Sequence, residues 1–436
     1  MNLFAKKTLS INGEVLCPGD KSISQRAVII GSLLNEDIKI NGFLNAEDPI
    51  STVNALNAIG SSIKINDNSV VIKKRPIPFI SPERNVDLGN SGTGMRLIMG
   101  LIASLDIHAT LTGDESLSKR PMLRVADPLN DMGASIKCIE GQPPVTILRG
   151  LIKNNFSYVM PIASAQVKSS IILAGLASNL NVSVTEKHST RDHTEKMIQY
   201  FGGNIECKKQ DSGNIISYKS SKLVPKNCYE VVGDFSSAAF LIVACLIAKD
   251  SKIVIKNVGL NPTRSGLINV LQSMGGKITI QNNSLTCNEE VGDILVESSI
   301  LEGVEIGGDI IPNIIDEIPI LSIAASFANG ETLIKDASEL RVKESDRLSA
   351  ISDGLYDIDI SHELFEDGIK INGSQKNISG SPEVDSYGDH RIAMSFLIAS
   401  LRSEKGIIVV NCKNIFTSFP NFIDIMKILG VDIDET

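Results

Sequence analysis

Apolar and polar positions along this chain follow a rhythm that returns several times. Apolar residues at helical spacing run up to a glycine, and a strand of alternating character follows it. LNAIGSSI (56–63), LNDMGASI (129–136), IQYFGGNI (198–205), LQSMGGKI (271–278) and MKILGVDI (426–433) all read this way, with AISDGLYDI (350–358) as a weaker copy. Glycine suits the left-handed position just past a helix end, and the period-two stretch after it reads as a strand. The glycines stand at 60, 133, 202, 275, 354 and 430, between 69 and 79 residues apart. That is too long for a solenoid, whose repeats run to roughly 50 residues. The pattern predicts six small α/β subdomains.

A second duplication divides the chain. PGDKSISQRAVIIGSL (18–33) and VGDFSSAAFLIVACL (232–246) both run from Gly-Asp through serine into an apolar helix. If each opens a half, the chain crosses between domains near 18 and near 232. The expected domains are residues 1–18 with 233–436, and residues 19–232.

Size and composition narrow the possibilities. The 436 residues suffice for two or more domains with full cores. A formal net charge of −9 argues against nucleic-acid or anionic-membrane partners, so any anion must be met by a local cationic pocket. The seven cysteines are scattered without a CxxC pair, which indicates buried thiols in a reducing cytoplasm rather than disulfides or zinc. The N-terminal stretch lacks a signal-peptide apolar core, and no segment reads as a membrane span.

Several segments could carry chemistry. PGDKSISQRA places Lys21, Ser22 and Arg26 at a helix start, where N–H groups and the dipole favour an anion. On local sequence alone it reads equally as a capped surface helix. LGNSGTGMRLIMG (88–100) is a second such start, with glycines that admit close backbone approach. It lacks P-loop and dinucleotide spacing, and a tight strand-to-helix turn explains it as well. GDESLSKRPM (113–122), ASAQVKSS (163–170), STRDHTEKM (189–197), LRVKESDRL (340–348) and GDHRIAMSF (388–396) each read alone as solvated charged turns. IIDEIPIL (314–321) sets Asp316 and Glu317 in an apolar run, where desolvation raises a carboxyl's proton affinity and suits it to acid–base work. A helix-start acid facing the dipole is the plainer reading.

Taken in order, PGDKSISxRA, ASAQVKS, TRDHTEKM, LRVKESDRL and DHRIAM resemble the 5-enolpyruvylshikimate-3-phosphate synthase family over nearly the whole chain. The resemblance implies an α/β (α+β) fold of two similar domains, each of three βαβαββ units. This is an inside-out α/β barrel with six repeats and an active site in the interdomain cleft. It implies transfer of the enolpyruvyl group of phosphoenolpyruvate to the 5-hydroxyl of shikimate 3-phosphate by addition and elimination. Domain closure would expel water. No cofactor or metal is implied; the partners are the two small-molecule substrates, and the enzyme is expected to be a cytoplasmic monomer.

By the same resemblance, Lys21, Ser22, Arg26, Ser164, Gln166, Asp316 and Lys343 bind shikimate 3-phosphate, and Ser189 or Arg191 approaches its phosphate. Lys21, Asn90, Gly92, Arg120, Gln166, Arg347 and Arg391 bind phosphoenolpyruvate. Asp316 takes the hydroxyl proton, with Lys343 beside it, and Glu344 protonates the methylene carbon. The chain departs from the family at Gln25, where a histidine is usual, and at Thr417 and Ser418, where many members carry a lysine. TRDHTEKM and TSFP belong to a subgroup of low glyphosate sensitivity, while Gly92 points the other way. The rival readings are a UDP-N-acetylglucosamine enolpyruvyl transferase, which needs a loop cysteine, and a non-catalytic anion-binding relative.

Overall fold

The computed structural model describes residues 1–436 apart from 76, 211 and 212. The described residues form six four-stranded sheets of one design. In each, the first strand of the copy lies parallel to the second, the second lies antiparallel to the fourth, and the third takes the far edge. Along the chain a helix follows the first strand and another the second, but two first strands are exchanged: Asn12–Leu16 precedes the helix Lys21–Gly31 yet pairs with Lys252–Gly259, and Cys228–Glu230 precedes Phe235–Ile247 yet pairs with Ile38–Asn41. The middle copy of residues 86–148 shows the design: Val86–Asp87, helix Gly92–Ala103, Ala109–Thr112, helix Leu123–Asp131, Ser135–Ile139 and Gln142–Leu148.

Contacts divide the chain into two compact units. One comprises Met1–Pro18, Gly233–Ser284 and Glu290–Thr436; the other comprises Gly19–Val232 and Leu285–Glu289. Sheets in both units are closed by strands distant in sequence: one in the second unit and two in the first. Cys228–Glu230 pairs with Ile38–Asn41 in the second unit. In the first, the N-terminal strands Leu3–Ala5 and Asn12–Leu16 complete two sheets built otherwise from the C-terminal half.

The first helix of every copy is buried on nearly all sides. All thirteen residues of Phe235–Ile247 are buried, as are all nine of Ile318–Ser326 and all ten of His390–Ala399. Such helices carry no polar face, so their apolar and small residues surround the axis. Serines inside them, Ser322, Ser326 and Ser395, donate to the carbonyl four residues back, and the charged residues stand at or beside the helix starts, where the site residues cluster.

The repeat glycines serve the turn expected of them. Gly60, Gly133, Gly202, Gly275 and Gly430 all have φ between +72° and +110°. The fifth copy corrects the sequence reading. Gly354 lies inside the helix Arg347–Asp357, and a Cβ there would meet the Phe396 ring at 2.2 Å. The left-handed residue of that copy is Asp359, φ +59°. A short polar side chain tolerates this conformation, so the glycine signal was displaced to a packing glycine five residues earlier.

The repeat also contains a device that the spacing alone did not show. The residue after the first apolar position is Asn57, Asn130, Gln199 or Gln272 in four copies. Each side-chain amide donates to the carbonyl of the strand residue that closes the pattern: Ile63, Ile136, Ile205 and Ile278 respectively, at 3.0–3.1 Å. Asn57 and Asn130 also accept from the same isoleucine's N–H. The amide thus pins helix to strand across the glycine turn.

Candidate active site

In the second unit, three buried helices begin close together: Lys21–Gly31, Gly92–Ala103 and Ala165–Ser178. Each is capped by a side chain. Asp20 accepts from Ile23 N at 2.7 Å, Ser91 from Gly94 N at 3.0 Å and Ser164 from Val167 N at 3.4 Å. The capped ends direct further backbone N–H groups and the positive dipole end outward.

Side chains tie these starts together. Gln25 Nε2 donates to Ser91 Oγ at 2.6 Å and to Thr52 Oγ1 at 3.0 Å. Gln166 accepts from Arg96 Nη1 at 2.5 Å and donates to Thr93 Oγ1 at 2.9 Å. Arg26 donates to Thr194 Oγ1 at 2.8 Å, Ser169 Oγ at 3.2 Å and the Ser22 carbonyl at 3.0 Å. Arg120 donates to Asn90 Oδ1 at 2.8 Å. Lys21 pairs with Asp48 at 2.9 Å. Ser189 is exposed and accepts from Asn214 Nδ2 at 2.7 Å; Arg191 lies half-buried two residues on. The expected residues Lys21, Ser22, Arg26, Asn90, Gly92, Arg120, Ser164, Gln166, Ser189 and Arg191 therefore all fall in this unit, most of them on or beside the three helix starts.

The first unit repeats the arrangement with the opposite balance of charge. Its three buried helices start at Phe235, Ile318 and His390, preceded by Asp234, Glu317 and Asp389. Arg391 Nη1 donates to the Asp316 carbonyl at 2.8 Å and lies 3.4 Å from Glu317 Oε1, while its Nη2 donates to Ser236 Oγ at 3.2 Å. Ser236 in turn donates to Glu317. Arg347, from the outer helix, is fully buried. Its Nε donates to Asp389 Oδ2 at 2.7 Å, its Nη2 to Glu344 Oε2 at 2.5 Å and its Nη1 to Asp316 Oδ1 at 3.4 Å. Burial works against the Arg347 charge, but Asp389, Glu344 and Asp316 outweigh it and raise its proton affinity. Lys343 Nζ reaches Asp316 Oδ1 at 3.4 Å.

Asp316 thus faces Lys343, Arg347 and Arg391 rather than the apolar surroundings its sequence run suggested. The apolar neighbours are the body of the helix that follows. Asp316, Lys343, Glu344, Arg347 and Arg391 form one cluster, in which Asp316, Glu344 and Lys343 are half-buried.

Supporting residues hold the expected ones in place. Arg96, Thr93 and Asp48 hold Gln166 and Lys21. Ser236, Glu317 and Asp389 hold Arg391 and Arg347. Of these, sequence reasoning overlooked Asp48 and Ser236. The Gly-Asp-x-Ser start shared at 19 and 233 was the available signal for Ser236. The buried polar character of the rest depends on contacts from distant segments. Gln25 is completely buried and fully engaged through its amide nitrogen, so the residue standing where the family has histidine acts as a strut. Thr417 is also buried and donates to the Asn414 carbonyl at 2.7 Å.

The comparisons with known proteins agree with this geometry. The family model for EPSP synthase (3-phosphoshikimate 1-carboxyvinyltransferase) matches residues 5–426. The chain belongs to the EPSP synthase family. A 3-phosphoshikimate 1-carboxyvinyltransferase of Petrotoga mobilis is 47% identical over 98% of this chain and 99% of the relative. That of Oceanobacillus iheyensis is 45% identical over 98% of this chain and 100% of the relative. A solved EPSP synthase of Acinetobacter baumannii superimposes with a TM-score of 0.86 at 38% identity, covering 100% of this chain and 99% of that one. The two-domain inside-out α/β fold of the family is therefore the fold of this chain.

Gly92 makes one consequence of the second unit's geometry testable. A Cβ added there would stand 2.9 Å from Arg120 Nη1. The obstacle is the far end of a flexible side chain, so Gly92→Ala is expected to fold normally while moving the guanidinium a few tenths of an ångström. The resemblance assigns Arg120 to phosphoenolpyruvate, and a displaced binding cation weakens what it holds. KM for phosphoenolpyruvate should rise about three- to tenfold with kcat changed less. Steady-state kinetics beside a thermal melt check this, and an unchanged KM would remove Arg120 from the phosphoenolpyruvate contacts.

Proposed function

We infer that this chain transfers the carboxyvinyl group of phosphoenolpyruvate to the 5-hydroxyl of shikimate 3-phosphate, releasing phosphate. The observation that carries the reading is the coincidence of a full-length family match with the family's motif residues gathered at buried helix starts. Both substrates are polyanions, and helix N-termini with arginine forks suit phosphate and carboxylate.

On this reading Lys21, Ser22, Arg26, Ser164, Gln166 and Lys343 hold shikimate 3-phosphate, with Ser189 and Arg191 toward its phosphate. Lys21, Asn90, Gly92, Arg120, Gln166, Arg347 and Arg391 hold phosphoenolpyruvate. Asp316 accepts the proton of the 5-hydroxyl as its oxygen bonds to the central carbon of phosphoenolpyruvate. Glu344 delivers a proton to the methylene carbon, giving a tetrahedral adduct with a methyl group. Loss of a methyl proton then restores the double bond as the carbon–oxygen bond to phosphate breaks. Arg347 holds both reacting carboxylates, Asp316 and Glu344, in one fork. The enzyme acts as a cytoplasmic monomer on two small molecules, without nucleic-acid or membrane partners.

Phosphate release tests the acceptor. Purified protein is given phosphoenolpyruvate with shikimate 3-phosphate, and in parallel with UDP-N-acetylglucosamine. Release with the first alone is expected. Release with the second alone would replace the acceptor, and release with neither from folded protein would leave a binding protein.

A further inference from the structure

The second unit contains a buried charged cluster with no part in the scheme above. Lys168 lies one turn into the helix Ala165–Ser178 and is 1% exposed. Its Nζ stands 2.8 Å from Glu195 Oε1 and 3.2 Å from Glu186 Oε2, and donates to the Thr190 carbonyl at 3.3 Å. Glu186 also accepts from the Thr190 hydroxyl at 2.6 Å and from its N–H at 3.3 Å. Beside the cluster, the Ser169 and Thr194 hydroxyls are 2.8 Å apart. Burial opposes the charge on Lys168, but the two carboxylates outweigh it and raise its proton affinity.

The connectivity shows what such a cation does. Glu186 ends a strand, Thr190 sits in the loop after it, and Glu195 lies in the helix His193–Tyr200 that follows. One ammonium therefore grips three successive pieces of a connection that also carries the exposed Ser189 and the half-buried Arg191. The same lysine is one turn from the helix cap Ser164 and two residues from Gln166. A surface connection of this kind is mobile unless tied, and separating the partners of a buried ion pair is strongly unfavourable, so the pair holds the segments that carry it together. We propose that Lys168, clamped by Glu186 and Glu195, is a positioning residue that locks the Ser189–Arg191 segment to the Ser164–Gln166 helix start and thereby creates the preference for a 3-phosphate on the shikimate substrate. This rests on the proposed function and extends it to residues that touch no substrate.

The test compares dissociation constants for shikimate 3-phosphate and for shikimate, by calorimetry without phosphoenolpyruvate. Removing Lys168 alone would strand two buried carboxylates, so the variant is the pair Lys168→Gln with Glu195→Gln, which keeps the local net charge. The preference for the phosphorylated ligand should fall at least about tenfold while shikimate itself binds within about threefold of the parent. Merely loosened structure would weaken both ligands alike. Lys168→Arg should keep most of the preference. If the pair does not fold, Thr190→Ala removes only the hydroxyl latch on Glu186 and should lower the preference about threefold. An unchanged preference in a folded variant overturns the proposal. Parent protein that shows no preference for shikimate 3-phosphate overturns the proposed function instead.

Discussion

Replacing Asp316 by Asn is expected to lower kcat by about 10²- to 10⁴-fold, the range over which a positioned proton acceptor acts. The substitution keeps shape and one acceptor oxygen. Its backbone contact is also preserved, because Arg391 Nη1 binds the Asp316 main-chain carbonyl rather than the side chain. Arg347 retains Asp389 and Glu344 as carboxylate partners. The fold and the arginines should stay in place, and what is lost is the carboxylate proposed to take the hydroxyl proton. Binding of shikimate 3-phosphate, read by calorimetry, should therefore change less than about tenfold, since the hydrogen bond to the 5-hydroxyl can still form. A variant with kcat within threefold of the parent would show that another group takes this proton. A collapse of binding along with turnover would make Asp316 a substrate anchor.

Much of this arrangement was legible in the chain. Helix starts were marked by Asp or Ser ahead of apolar runs, and Asp20, Ser91, Ser164, Asp234 and Asp389 do cap those helices. The six copies were visible because a glycine turn between helix and strand is a local requirement. Where a polar residue met the same requirement, as at Asp359, the pattern slid to Gly354, which is needed for packing against Phe396. Pairings between distant strands, such as Leu3–Ala5 beside Ile407–Val410, leave no local trace. The same limit hid the buried polar partners. Lys168 read as a solvated cation because nothing nearby in sequence reveals Glu186 and Glu195 closing over it. For Asp316 the sequence offered a desolvated carboxyl or, more plainly, a helix-start acid, and neither showed the cations Lys343, Arg347 and Arg391 that arrive from distant segments.

Replacing Arg347 by Met should destabilise the protein by about 3–5 kcal/mol, the cost of removing one partner from a buried ionic group. The guanidinium is buried, as is the Asp389 carboxylate it grips at 2.7 Å, and it also binds Glu344 and Asp316. Methionine matches much of its volume but leaves three carboxylates to repel one another, one of them fully desolvated. Denaturant unfolding should show a lower midpoint with an unchanged slope, and a loss below about 1 kcal/mol would mean that the carboxylates relax into water instead. Arg347→Lys separates this structural role from the chemical one. It restores a charge against Asp389, so much of the stability should return. It cannot reproduce a fork that reaches Asp389, Glu344 and Asp316 at once. Glu344 and Asp316 would lose their fixed spacing, and kcat should stay at least about 10²-fold below the parent, as expected for reacting groups displaced by an ångström. Recovery of stability together with full turnover would show that charge alone is required at this position.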